Sequence, residues 1–85
     1  MRYYIKEKGE RLTQEQTASD NRIVGEDNGL GTFYTHGGWT RFCNIAKKAP
    51  DLLEHIEIIN DKQEVFDAHE FLDKVTKFKR VYEQR

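Results

Sequence analysis

Between Thr32 and Cys43 the chain gathers residue types that could do chemistry. The stretch holds Phe33, Tyr34, Trp39 and Phe42, four of the ten aromatics, with the single Trp, the single Cys, His36, Arg41 and the pair Gly37-Gly38. A nucleophilic reading would set Cys43 beside a base such as His36, across the glycine pair. A reactive thiolate needs an exposed, electropositive setting and a third group to orient the base. Cys43 instead falls on an apolar face, where a cysteine behaves as a small hydrophobe. The sequence points away from catalysis.

Metal binding would draw on His36, Cys43, His55 and His69, which follow one another at intervals of 7, 12 and 14 residues. Zinc sites use tight C-x-x-C or H-x-x-x-H pairs, and none is present. No metal or cofactor is expected. Anion binding would use the backbone amides where Gly37-Gly38 opens a helix, with Arg41 beside them. The pair matches neither G-x-x-x-x-G-K-[ST] nor G-x-G-x-x-G. Its ordinary reading is a tight strand-to-helix turn that needs positive φ.

Recognition surfaces ask less of the residues. Tyr34, His36, Trp39 and Arg41 form a candidate anchor set for a protein partner, since exposed Trp, Tyr and Arg are typical hot-spot residues. Glu54, Glu57, Asp61 and Glu64 form a candidate acidic set that would steer a partner with a basic surface in a salt-dependent way. The alternative is nucleic-acid binding, with Trp39 and Arg41 stacking on bases and Lys77 and Arg80 meeting phosphates. A sequence pI near 6.3 is well below the footprint of a dedicated nucleic-acid binder.

The elements that would position these residues follow from periodicity and turn signals. Tyr3-Tyr4-Ile5 is a short strand closed by Glu7-Lys8-Gly9. Residues 10–21 are polar apart from Leu12 and predict loop or a weak edge strand. Arg22-Ile23-Val24 and Gly31 to Thr35 predict a hairpin around Asn28-Gly29, because both turn positions tolerate positive φ. Trp39, Phe42, Cys43 and Ala46 share one face of a helix over about 39–48, which Pro50 stops. Asp51 to Glu54 adds a turn, His55 to Ile59 a strand, and Val65-Phe66 its partner. Asp67 then caps a C-terminal helix over about 68–82. Glu70 completes a capping box, Phe66 and Phe71 form a hydrophobic staple, and Phe71, Leu72, Val75, Phe78 and Tyr82 make the buried stripe.

The expectation is one α+β domain over residues 1–85: a small, mainly antiparallel sheet of three to five strands, covered by a short and a long helix. With 85 residues, 36% apolar and 34% charged, the core must be thin, and the aromatics carry it. A single cysteine leaves no internal disulfide, no apolar run reaches membrane-spanning length, and the N-terminus has no signal-like apolar stretch. The default location is therefore a reducing cytoplasm. Net charge is −1, but residues 51–73 hold eight acids against Lys62, while residues 74–85 hold five bases against Glu83. Such a dipolar chain can present an acidic face to a basic partner.

In general style the chain resembles small accessory proteins encoded by phages and other mobile elements. The resemblance lies in the short chain opening Met1-Arg2-Tyr3-Tyr4-Ile5-Lys6, the single proline and the aromatic-rich α+β body. It implies a non-enzymatic binder of a host protein, acting by occlusion, and for some such proteins inhibition of a defence nuclease. The expected function is thus a small protein-binding module without chemistry of its own.

Overall fold

Strand β1, Arg2–Glu7, alternates its side chains, with Tyr3 and Ile5 toward the core and Tyr4 and Lys6 toward the other face. In this computed structural model residues 1–76 and 79–82 are described, with the backbone alone for 76 and 79–82. β2 (Ile23–Asp27) and β3 (Thr32–Thr35) form the expected hairpin, and β4 (Ile56–Asn60) and β5 (Val65–Asp67) form a second one. β1 lies between the two hairpins, antiparallel to both β2 and β4. Five antiparallel strands thus make the sheet, in the order β5-β4-β1-β2-β3, and a sixth, β6 (Lys79–Tyr82), joins β3 in parallel at the edge.

The first hairpin closes on a four-residue loop rather than a two-residue turn. Asn28 Oδ1 accepts from the amides of Leu30 and Thr32, at 2.8 and 3.1 Å. Gly29 and Gly31 both take positive φ there.

The polar segment does not stay irregular. A single helical turn, α1 (Gln14–Thr17), starts on a reciprocal capping box: Thr13 Oγ1 accepts from the Gln16 amide and Gln16 Oε1 from the Thr13 amide. Gly9 to Leu12 and Thr17 border the Tyr4 and Lys6 face, leaving a cleft of about 570 Å³.

Helix α2 spans Gly37–Lys48, and a 3-10 helix, Pro50–His55, follows the break at Ala49. Helix α3 begins at Ala68, as expected: Asp67 Oδ2 accepts from the amides of His69 (3.0 Å) and Glu70 (3.4 Å). The Phe66 and Phe71 rings pack 6.3 Å apart, the contact that a staple requires. The end of the helix departs from expectation. α3 stops at Thr76 and β6 occupies 79–82, so the stripe ends at Val75; Phe78 lies outside the described residues. Val81 and Tyr82 suit a strand as well as a helix, and the open edge of β3 offers a ladder of hydrogen bonds that a longer helix would leave unpaired.

α2, α3 and the 3-10 helix cover one face of the sheet. The core between them is Tyr3, Ile5, Val24, Phe33, Ile56 and Ile58 from the strands, against Trp39, Phe42, Leu53, Ala68, Phe71 and Val75. Phe71 is the hub, with ring centroids at 5.1 Å from Tyr3, 6.1 Å from Phe33 and 6.2 Å from Phe42. Tilted packing of this kind adds to simple burial, so four rings hold what a small aliphatic core would not.

Candidate functional site

The aromatic stretch between β3 and α2 was the first place to look for a site, and the fold spends most of it on structure. Trp39 is only 4% exposed, packed 6.0 Å from both Phe33 and Phe42. The helix face that carries Trp39 points into the core, so Trp39 is neither an exposed anchor for a protein nor a stacking platform for bases. Tyr34 is half-buried on β3. Cys43 is partly buried against the core.

His36 bridges two carboxylates. Its Nδ1 lies 3.2 Å from Asp20 Oδ1 and its Nε2 3.4 Å from Glu26 Oε1, with the side chain 7% exposed. It therefore faces acids rather than a thiol. Asp20 is the organising group. Its Oδ2 accepts from the Gly37 amide at 3.0 Å and its backbone carbonyl from the Gly38 amide at 2.9 Å. The amides opening α2, the proposed anion cradle, are thus met by the chain's own carboxylate.

The glycine pair also has a different reason from the one expected. Gly37 and Gly38 lie within α2 and neither takes positive φ. What Gly38 needs is room: a Cβ there would stand 2.6 Å from the Ile23 carbonyl oxygen. The helix start is pressed against β2, which is why the strand-to-helix turn is so tight.

The acidic set is also largely occupied. Glu57 pairs with Lys6 across β1 and β4 at 2.7 Å. Asp61 accepts from the Arg2 amide at 3.0 Å and from the Tyr4 hydroxyl at 2.9 Å, tying the β4–β5 turn to β1. Glu64 Oε1 accepts from Asn60 Nδ2, while buried Asn60 in turn accepts from the amides of Lys62 and Glu64, each at 3.0 Å. Glu54 is exposed on the 3-10 helix.

Two tyrosines are shifted upward, first by burial and then by a carboxylate each. Burial pushes the Tyr3 hydroxyl far up, helped by its 2.9 Å hydrogen bond to Asp27. Burial likewise raises Tyr4, and its bond to Asp61 adds to the effect. Glu10 moves down because Arg22 donates to both its oxygens, at 2.8 and 3.0 Å.

Comparison with protein-family models, with curated proteins and with solved structures finds no match to this chain. The surface itself must carry the reading.

Arg41 is exposed on α2, whereas Trp39 is buried and Tyr34 and His36 are partly buried. Of the alternative nucleic-acid set, Lys77 lies outside the described residues, and Arg80 is placed only by its backbone, opposite Phe33 in the β3–β6 ladder. Among the described residues no three His, Cys, Asp or Glu side chains are grouped to hold a metal ion, and no helix is long and apolar enough to cross a membrane.

Sequence reasoning missed one region. Arg41 borders a recess of about 270 Å³ with Ile5, Ile45, Leu52, His55 and Ile56. Its apolar floor comes from four separate elements, so no local motif could announce it. The one visible signal was the pair Leu52-Leu53, two large apolar residues between the charges of Asp51 and Glu54.

Proposed function

We propose that the chain is a protein-binding module that meets a basic surface through one acidic flank. The observation that carries this is spatial. β4 packs against the 3-10 helix, β5 and α3, so the acidic block of residues 51–73 is carried on the β4–β5 flank of the sheet, spread over its two faces. Asp51, Glu54, Asp61, Glu64 and Glu70 are exposed on it. Asp61 and Glu64 accept hydrogen bonds inside the fold, while Asp51, Glu54 and Glu70 make no side-chain hydrogen bond or ion pair among the described residues. A field of this kind speeds encounter with a basic patch and makes binding salt-dependent. In this reading the module acts by covering its partner's surface, in the cytoplasm, as the resemblance to mobile-element accessory proteins implies. Trp39's burial removes the stacking residue on which the nucleic-acid alternative rested.

The test is affinity capture from a bacterial lysate with the wild-type chain and a D51K/E54K/E70K variant, with nuclease present. A stoichiometric protein retained by the wild type, lost by the variant and released by salt is the expected result. Equal capture by both forms, or capture that collapses with nuclease, would defeat the reading.

A further inference from the structure

The recess beneath Arg41 is lined by charges of both signs, and the acidic flank does not explain it. Its floor is Ile5 from β1, Ile45 from α2, and Leu52 and Ile56 from the 3-10 helix and the strand after it. Leu52 is 50% exposed, so apolar surface stays uncovered at the rim. Arg41 and Ile45 also line a shallower groove that continues along α2 past Asn44 to Lys48.

The charges around this groove divide by whether they are already used. Lys6 is paired with Glu57 at 2.7 Å, and Arg22 with Glu10 at 2.8 Å. Arg41 and Lys48 form no ion pair among the described residues, and α2 carries no acid of its own. Glu7, at the end of β1, is the carboxylate on the opposite rim. The groove therefore has a direction, acidic at the β1 end and basic along α2.

We propose that this groove binds a segment of a partner protein that carries one large apolar side chain followed by carboxylates. The apolar side chain seats on Ile45, Leu52 and Ile56, and the carboxylates run along α2 to Arg41 and Lys48. Size supports a single anchor. At about 270 Å³ the recess is below the range of roughly 300–1,000 Å³ that encloses a whole small molecule. A pocket of this size suits one side chain of a hot-spot kind. Charge supports the rest, because an exposed guanidinium with no ion pair among the described residues can take a carboxylate in a bidentate geometry. This inference does not rest on the acidic flank and survives or fails separately from it.

The experiment is a titration of the isotope-labelled chain, followed by amide chemical shifts. The probe is an end-blocked octapeptide with one Phe followed by three Glu. Saturable shifts should appear at Ile5, Ile45, Leu52 and Ile56. R41E should weaken binding by about tenfold or more, as expected for loss of a charge-assisted contact. R11E, the same charge change at an exposed site outside the lining of the recess and groove, should leave it within about twofold. L52A, at a half-exposed position the fold does not need, should also weaken it. Any of several results would overturn the proposal. These are no saturation up to about 5 mM peptide, equal losses for R41E and R11E, and equal binding of peptides with Ala for Phe or Lys for Glu. Groove shifts that grow with protein concentration alone would instead assign the surface to a second copy of this chain.

Discussion

Replacing Asp20 tests the account of how α2 begins. Its carboxylate is the side-chain cap of that helix, accepting from the Gly37 amide at 3.0 Å, although it lies 17 residues away in the chain. His36, the residue at the N-cap position, makes no side-chain cap bond itself. Losing a cap of this type costs about 1 kcal/mol, and losing an anion beside a helix N-terminus costs a further 0.3–1 kcal/mol or so. The side chain is 65% exposed, which places the electrostatic share at the low end. D20A should therefore destabilise by about 1.5 kcal/mol, or about 8 °C in Tm for a domain of this size. D20N keeps an oxygen for the Gly37 amide and loses the charge, so it should cost about a third as much. Thermal unfolding followed by circular dichroism reads both variants. A D20A melting point within about 2 °C of wild type would refute the cap, and D20N matching D20A would assign the effect to charge alone.

Two further outcomes follow from the same structure. Tyr3 and Tyr4 are both shifted upward, so the native state holds these phenol protons more tightly than the unfolded chain does. The stability they add is complete below pH about 10 and is lost as pH rises beyond it toward the native values. In a Y34F/Y82F chain, tyrosinate absorbance should show Tyr3 and Tyr4 ionising above the ordinary tyrosine range while the fold holds, and two hydroxyls titrating near pH 10 in that folded chain would contradict their burial. At the β4–β5 turn, Gln63 takes φ of 65°. That left-handed conformation costs a non-glycine residue roughly 1–2 kcal/mol, part of which glycine returns as unfolded-chain entropy. Q63G should stabilise by about 0.5–1 kcal/mol in urea unfolding, and a loss of stability would show that the Gln63 side chain holds the turn.

What the sequence made legible was local. The α2 face followed from four apolar residues at helical spacing, and the start of α3 from Asp67, Phe66 and Phe71, because caps and staples are read within one turn. The capping box that starts α1 was equally local, but its polar surroundings hid it. The parallel strand at 79–82 was not legible, because four residues fit either period and the deciding partner, β3, lies 47 residues earlier, Thr32 opposite Lys79. The same limit explains the site. Asp61 reaching Tyr4 and Glu57 reaching Lys6 are contacts between distant parts of the chain, so acids that spacing alone offers to a partner turn out to be internal acceptors, and Asp20 reaching Gly37 is likewise out of local view. Only tertiary placement separates those from Asp51, Glu54 and Glu70.

The central position of β1 has a kinetic consequence. The two hairpins are sequence-local and can zip soon after they are made, whereas β1 must insert between them. One of its partners lies far along the chain: Tyr4 and Asp61 are 57 residues apart. Closing so long a loop is entropically slow, and topologies dominated by such contacts fold in milliseconds to seconds rather than microseconds. Until that closure, β2 and β4 each present an open inner edge flanked by apolar side chains. The interval between hairpin formation and β1 insertion is therefore when this chain is most exposed to aggregation and to proteases.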